Sequence, residues 1–283
     1  MILVTGAGGK TGRAVLAALT GRTVAWRALV RQPAALPDSV RDHGEIVVGD
    51  MLSQGEVARA VQDVSAIYHI PPNMHPAELP MAELLLETAR QASIERFVYH
   101  SVLHPQSTAM PHHARKLLVE EAVIDSGLPF TLLQPAAYMQ NLASSLEQVR
   151  QQGRLVLPYP PSTRLNLVDL ADVARAAAAV LIEAGHLGAT YELAGPSNPN
   201  QHEVAGLLAE LLGRPVEARQ QSLVDWRRAA EARGLDAQRI EDFLAMFAYY
   251  GEHDFIGNSR SLTQLLGRRP TDLRAFLSAC LPT

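Results

Sequence analysis

Val4-Thr5-Gly6-Ala7-Gly8-Gly9-Lys10-Thr11-Gly12 joins an apolar start, Met1 to Val4, to a stretch from Arg13 to Thr20 that sets Val15, Leu16 and Leu19 on one helical face. In a strand-to-helix junction the glycines at 6, 9 and 12 have separate tasks. One permits the tight turn, one lets the backbone approach a pyrophosphate, and one lets helix pack on strand. The N-terminus of the helix then faces the anion. A purely structural turn is the alternative. The position between the first strand and the first helix favours dinucleotide binding through Gly6, Gly8, Gly9, Lys10, Thr11 and Gly12.

Outward from this loop the chain alternates. Strands are expected at Val24 to Val30, Glu45 to Val48 (closed by Gly49-Asp50), Val64 to Ile70, Arg96 to Ser101 and Leu128 to Gln134. Helices are expected at Val57 to Val61, at Met81 to Ala92, and from Pro111 to near Gly127, where proline suits the first helical position and glycine the C-terminus. This rhythm predicts an α/β fold, a Rossmann doubly wound parallel sheet. Past Pro135 it loosens into a Pro-rich loop at Leu155 to Pro161, a helix at Asp169 to Glu183 and a short strand at Thr190 to Leu193. The chain is then mostly helical from Asn198, clearest at Val204 to Leu212 and Asp236 to Met246. The expected division is a dinucleotide-binding domain over 1–153 and a smaller, mainly helical subdomain over 154–283, mostly from 185 onward. Helix 169–184 is expected to pack back on the first domain.

Charge narrows the function classes. Twenty-nine acids against 25 bases give −4 over 283 residues, with a pI near 6.2 and no basic block, a poor match to phosphate-backbone binding. No nucleic-acid partner is expected. A single cysteine, Cys280, excludes an intramolecular disulfide framework and any Cys-based zinc site. The apolar run Ala176 to Ile182 is far shorter than the ~20 residues a bilayer needs. No charged leader precedes the first apolar run, so a cytoplasmic location is expected. Of the bases only Lys10 and Lys116 are lysines.

The end of the second strand selects among dinucleotides. An acid about 20 residues beyond the glycines would bond a ribose 2′-hydroxyl. Here the place reads Leu29-Val30-Arg31-Gln32-Pro33, with no acid. Arg31 offers a planar cation to a 2′-phosphate, with Lys10 as a second charge, so NADP(H) is the expected cofactor. A solvated surface arginine is the alternative.

Ligands of a doubly wound sheet sit beyond the carboxyl ends of its strands, here Ile70-Pro71-Pro72, His100-Ser101 and Gln134-Pro135. The helix after Pro111 presents His112 and Lys116 one turn apart, the register a short-chain dehydrogenase fills with Tyr-x-x-x-Lys; no such tetrad occurs in this chain. Lys116 could instead pair with Glu120 at i+4. Six of ten histidines, at 69, 75, 100, 104, 112 and 113, cluster in sequence, and a metal site is a rival reading. Pro105 breaks the helix that His100 and His104 would need, and no metal is expected.

The glycine loop, Arg31, Gly49-Asp50, the Leu117-to-Asp125 helix with Glu120, Leu128-Pro129-Phe130-Thr131-Leu132-Leu133-Gln134-Pro135, Tyr138 to Asn141 and Tyr191-Glu192-Leu193-Ala194-Gly195 together resemble the NmrA-like family of atypical short-chain dehydrogenases. The likeness is closer to its bacterial quinone-reductase and triphenylmethane-reductase branch, and the Leu262 to Pro270 stretch extends it nearly to the C-terminus. The resemblance implies pyrophosphate at the glycine loop and 2′-phosphate at Arg31. It places Asp50 and Met51 by the adenine and Ile70 with Pro71 along the ribose and nicotinamide path; Pro135 and Lys116, at or beside the strand ends, are further candidate cofactor contacts. Lys116 matches a lysine of the plant isoflavone-reductase-like relatives, a position other branches replace.

The chemistry expected on this basis is hydride transfer to an electron-poor conjugated acceptor, such as a quinone or aromatic enone, whose stabilised anion lessens the need for a strong protein acid. Lys116 would fix ribose or stabilise developing charge, His112 or water would protonate, and Ser101 stands at the same strand end. Tyr138, Asn141, Phe247 and Tyr250 would shape the acceptor pocket, the last two within an aromatic-rich stretch from Phe243 to Phe255 that could equally be core or dimer contact. A monomer or homodimer acting on a small molecule is expected. The alternative is an NADP(H)-binding redox sensor without turnover.

Overall fold

Strand and helix alternate from the first residues: β1 (Ile2–Val4), α1 (Lys10–Thr20), β2 (Trp26–Val30), α2 (Asp38–Arg41), β3 (Glu45–Val48), α3 (Gln54–Val61), β4 (Ala66–His69), α4 (Glu78–Gln91), β5 (Arg96–His100), α5 (Pro111–Asp125) and β6 (Phe130–Pro135). There follow β7 (Ala137–Tyr138), α6 (Gln140–Gln152), β8 (Arg154–Leu157), β9 (Leu167–Val168), α7 (Leu170–Ile182) and β10 (Ala189–Leu193). The chain closes with α8 (Gln201–Leu212), β11 (Glu217–Gln220), α9 (Leu223–Ala232), α10 (Ala237–Glu252), α11 (Arg260–Leu266) and α12 (Leu273–Cys280). The structure is a computed structural model, and it describes residues 1–281.

Seven strands form one sheet in the order β10-β6-β5-β4-β1-β2-β3. Parallel registers run Ile2↔Trp26 and Ile2↔Ala66 on the two sides of β1, Ala66↔Arg96 beyond β4 and Phe97↔Phe130 beyond β5. This is the doubly wound α/β sheet expected from the alternation. Successive strands step one way from β1 to β3 and the other way from β4 onward, so the winding reverses between β1 and β4. Such a reversal opens a crevice at the carboxyl ends of the two strands.

The pattern of burial follows from helices on both faces. β1, β4 and most of β5 are buried without alternation, as a parallel sheet requires. Leu3, Ile67, Phe97 and Leu132 pack with Val57, Ala82, Leu85, Val119 and Val123 from α3, α4 and α5. The leucine, isoleucine, valine and phenylalanine side chains among them each contribute roughly 1.5–3 kcal/mol of apolar burial.

By its internal contacts the chain divides into two compact units. The first comprises Met1–Gln106, His113–Pro135 and Ala171–Tyr191, and the second comprises Ser107–His112, Ala136–Leu170 and the chain from Glu192 onward. Residues 136–153, grouped in the sequence reading with the first domain, fall with the second unit, and α7 falls almost wholly with the first.

The second unit has its own core, in which Leu142, Leu146 and Val149 of α6 meet Leu155 of β8, Val204 and Leu208 of α8, and Phe276 and Leu277 of α12. The expected Pro-rich loop at 155–161 is corrected here: its first part is β8, paired in parallel with β11 from Arg154↔Glu217 to Leu157↔Gln220. The prolines come only after the ladder, where a missing N–H costs nothing. Helix α8 begins three residues before its first apolar residue. Asn200 accepts from the Glu203 N–H at 2.9 Å, and the Glu203 carboxyl accepts from the Asn200 N–H at 3.0 Å, a reciprocal cap. Among the described residues no helix is long and apolar enough to cross a membrane.

Candidate active site

The crevice at the β1/β4 reversal is built from Thr5 and the residues that follow β4. The Thr5 N–H donates to the Tyr68 carbonyl at 3.0 Å, and the Ile70 N–H donates to the Thr5 hydroxyl at 2.9 Å. That hydroxyl also shares a 2.9 Å hydrogen bond with His69 Nδ1. Burial, and then the charge of Lys116, hold the His69 imidazole down to about 3, so the ring is neutral.

Over this seam lies the glycine loop. Gly6 has φ +59°, and a Cβ there would stand 2.3 Å from the Ile70 carbonyl oxygen. A Cβ on Gly12 would stand 2.5 Å from Ala7 Cα. Only bare backbone fits, which leaves a cradle flush with the ends of β1 and β4. Helix α1 starts after Gly9 with no side-chain cap and no acid in its first turn, so no negative charge of its own occupies that helix end. These features fit a bound pyrophosphate.

Arg31 is the first residue past β2, exposed, and joined by no hydrogen bond or ion pair to any described residue. The segment after it is held against the loop: Gly8 abuts Ala35, and Arg13 Nη1 donates to the Ala35 carbonyl at 3.3 Å. Lys10 is exposed at the start of α1. Both cations therefore border the cradle from the first unit. Asp50 is tied into a local turn, its N–H donating to Glu56 at 2.6 Å and its carboxyl accepting from the Leu52 N–H at 2.9 Å. Met51 packs on the first core, Ile70 and Pro71 are buried after β4, and the Pro135 carbonyl accepts from the Leu103 N–H at 2.9 Å.

Next to the crevice is a buried polar cluster. Lys116 Nζ donates to Glu78 Oε1 at 2.8 Å and to the His100 carbonyl at 3.4 Å, and it lies 5.5 Å from the centre of the Tyr99 ring. The Tyr99 hydroxyl donates to the same Glu78 oxygen at 2.7 Å. Burial, then the Glu78 charge, push the Tyr99 phenol well above its usual range, so it keeps its proton. The i+4 pair of Lys116 with Glu120 is not formed. The Glu120 carboxyl instead accepts from Gln134 Nε2 at 2.9 and 3.1 Å. Burial pushes the Glu120 pKa up, opposed by the Ser101 hydroxyl, the Gln134 amide and the Lys116 charge. His100 shares a 2.6 Å hydrogen bond with the Tyr68 hydroxyl and is held to about 3, mainly by burial. His112 is buried in the first turn of α5, and His113 bonds the His104 carbonyl at 2.9 Å.

In the second unit Tyr138 lies half-buried on β7, Asn141 is exposed on α6, and Tyr250 is buried on α10. Phe247 is half-buried among Trp226, Phe243 and Tyr159, with ring centres 5.0, 5.9 and 6.5 Å away.

Glu78, Tyr99, Thr5 and His69 were missed as site residues by sequence reading. Glu78 left a signal. It stands three, four and seven residues before Met81, Ala82 and Leu85, so it heads the buried stripe of α4. A carboxylate on an apolar helical stripe needs a buried partner.

The model of the NmrA-like family matches residues 1–277. The chain is 27% identical over 281 residues to quinone oxidoreductase 2 of Escherichia coli, covering 98% of each. It is 24% identical over 280 residues to the NAD(P)H azoreductase of Xenophilus azovorans, covering 99% of this chain and 97% of the relative. Among solved structures, an NADPH complex of an NADPH-dependent quinone oxidoreductase from Escherichia coli superposes with a TM-score of 0.87 at 25% identity, covering 99% of both chains.

Proposed function

The chain belongs to the NmrA-like family and is an NAD(P)H-dependent reductase of the atypical short-chain dehydrogenase type, and on that premise we propose that it transfers hydride from NADPH to a small electron-poor acceptor: a quinone, an enone or an aromatic conjugated compound. The observation that carries this reading is the cradle at the β1/β4 reversal with Arg31 and Lys10 at its border and no acid at the end of β2.

Gly6, Gly8, Gly9, Thr11 and Gly12 would hold the pyrophosphate through backbone and helix N-terminus. Arg31 and Lys10 would hold the 2′-phosphate, Asp50 and Met51 the adenine side, and Ile70, Pro71 and Pro135 the path toward the nicotinamide. When bound, the dinucleotide supplies the hydride. Lys116 then provides a fixed positive charge beside the carboxyl ends of β4 and β5, where it can bind a ribose hydroxyl or offset negative charge on the reduced acceptor. His112 or water returns the proton, with Ser101 at the same strand end. Near neutral pH the buried His69 and His100 stay neutral, and Tyr99 keeps its proton, which it donates to Glu78. Acceptor recognition is assigned to the second unit, through Tyr138, Asn141, Phe247 and Tyr250.

The test is a panel of quinones, enones, azo and triphenylmethane dyes assayed for NADPH oxidation. Turnover of at least one class is expected, with NADPH preferred to NADH. Tight NADPH binding without oxidation across the panel would overturn the reductase reading and favour a redox sensor.

A further inference from the structure

We propose that Glu78, supported by Tyr99, is the positioning residue that orients the Lys116 ammonium for ligand; this rests on the reading of Lys116 given above. The carboxyl of Glu78 is fully buried at the head of α4, the helix that follows the switch-point strand β4. Its Oε1 receives both Lys116 Nζ at 2.8 Å and the Tyr99 hydroxyl at 2.7 Å. Its Oε2 has no partner among the described residues.

The arrangement constrains a side chain that is otherwise hard to place. A lysine is a point charge on a flexible four-carbon stem. Here it leaves α5, crosses the face of Tyr99 and ends on an anion from α4 and a carbonyl from β5. Two of its three N–H groups are thereby committed, one to Glu78 and one to the His100 carbonyl, and one remains for a ligand. Tyr99 fixes the other side of the pair. Its retained proton donates to Glu78 and restrains the carboxyl that Lys116 uses. A pair that served the fold alone could be placed anywhere in the core. This one is joined to the crevice through Tyr99, whose ring stacks on His69 with centres 5.8 Å apart, and His69 in turn bonds Thr5 beside the glycine loop.

The presence of only two lysines in the chain makes the proposal directly observable. In ligand-free protein labelled with ¹⁵N-lysine, the side-chain Nζ spectrum contains Lys10 and Lys116 alone. A slowly exchanging Lys116 ammonium signal is expected, and Glu78→Gln should abolish it by exchange broadening. In NADPH titrations and in steady-state turnover of an acceptor from the panel, Glu78→Gln should weaken NADPH binding or lower kcat/KM roughly tenfold, the scale of one lost charge-assisted hydrogen bond. Glu78→Asp should restore part of the loss.

Wild-type titration and turnover in folded Glu78→Gln, while Lys116→Ala is impaired, would overturn the positioning role and leave the Lys116 reading standing. Wild-type behaviour in both variants would overturn both. Should Glu78→Gln fail to fold, Tyr99→Phe removes one donor to the same oxygen and keeps both charges. Loss of the ammonium signal with weaker NADPH binding then supports the proposal, and an unchanged signal and affinity overturn it.

Discussion

The Thr5 hydroxyl and the His69 ring meet at 2.9 Å across the line where the winding of the sheet reverses, joining β1 to β4 at the mouth of the crevice. The ring is wholly buried, and burial followed by the Lys116 charge lowers its pKa from 6.5 to about 3. His100 is lowered to about 3 in the same way, and burial brings His113 to about 4. In the unfolded chain each ring binds a proton near its ordinary value, whereas in the folded chain it does not. The unfolded state therefore holds more protons between pH 6.5 and about 3, and stability falls as pH drops through that window. Above it the contribution is fully present. Urea midpoints measured from pH 8 down to 4 should be level at first and then fall, and His69→Gln should make the decline shallower. A midpoint independent of pH would contradict the buried neutral rings.

Cofactor preference is expected to reside in Arg31. With no acid at the end of β2 and no partner of its own among the described residues, its guanidinium is available to a 2′-phosphate. Arg31→Glu should weaken NADPH binding about ten- to a hundredfold while leaving NADH within a few-fold. Fluorescence titration with both nucleotides measures this, and equal wild-type affinities would remove the assignment.

Two glycine substitutions should act in opposite directions. At Gly6, with φ +59° and a Cβ position 2.3 Å from the Ile70 carbonyl, alanine is expected to cost about 1–3 kcal/mol and to abolish NADPH binding. Gly206 lies within α8 with nothing within 4 Å of an added Cβ. There alanine should stabilise by about 0.5–1 kcal/mol with nucleotide affinity unchanged. Thermal melts and titrations of the two variants decide the matter.

Removing only one member of the buried pair should be worse than removing both. Glu78 and Lys116 side chains are 1% and 11% exposed. Lys116→Met strands an uncompensated carboxylate and is expected to cost about 3–5 kcal/mol. The double variant Glu78→Gln, Lys116→Met should recover stability relative to that single change. Chemical denaturation of the four proteins in the cycle gives the coupling, and additive losses would argue against the pair.

Much of the sheet was legible because its signals are local. An unbroken apolar run such as Ile67-Tyr68 or Phe97-Val98 needs only its neighbours to identify it, and a glycine that must have positive φ announces the turn. Arg31 was readable for the same reason, as a cation standing where an acid would be expected. Lys116 was harder. Its i+4 neighbour Glu120 offered a local partner, yet the observed partner is Glu78, 38 residues away, because α4 and α5 cover neighbouring strands. No sequence spacing encodes that pairing, although the acid on the α4 stripe hinted that one was needed. β8 was hidden by the prolines just past its end, and its ladder partner β11 lies some sixty residues on. Helix α10 outran its expected end at Met246 and carries Phe247, Tyr249 and Tyr250 in its last turns, because no proline intervenes and the first glycine, Gly251, comes only in its final turn.

The position of β10 sets an order of events during synthesis. It is an outer strand of the seven-stranded sheet beside β6, yet it emerges more than fifty residues after β6, behind all of β7, β8 and β9. Until Ala189–Leu193 leave the ribosome, the buried strand Phe130–Pro135 has one row of backbone groups uncovered. A nascent or truncated chain ending before Ala189 would present that apolar edge to any other strand, so the last strand of the sheet also acts as its guard against aggregation.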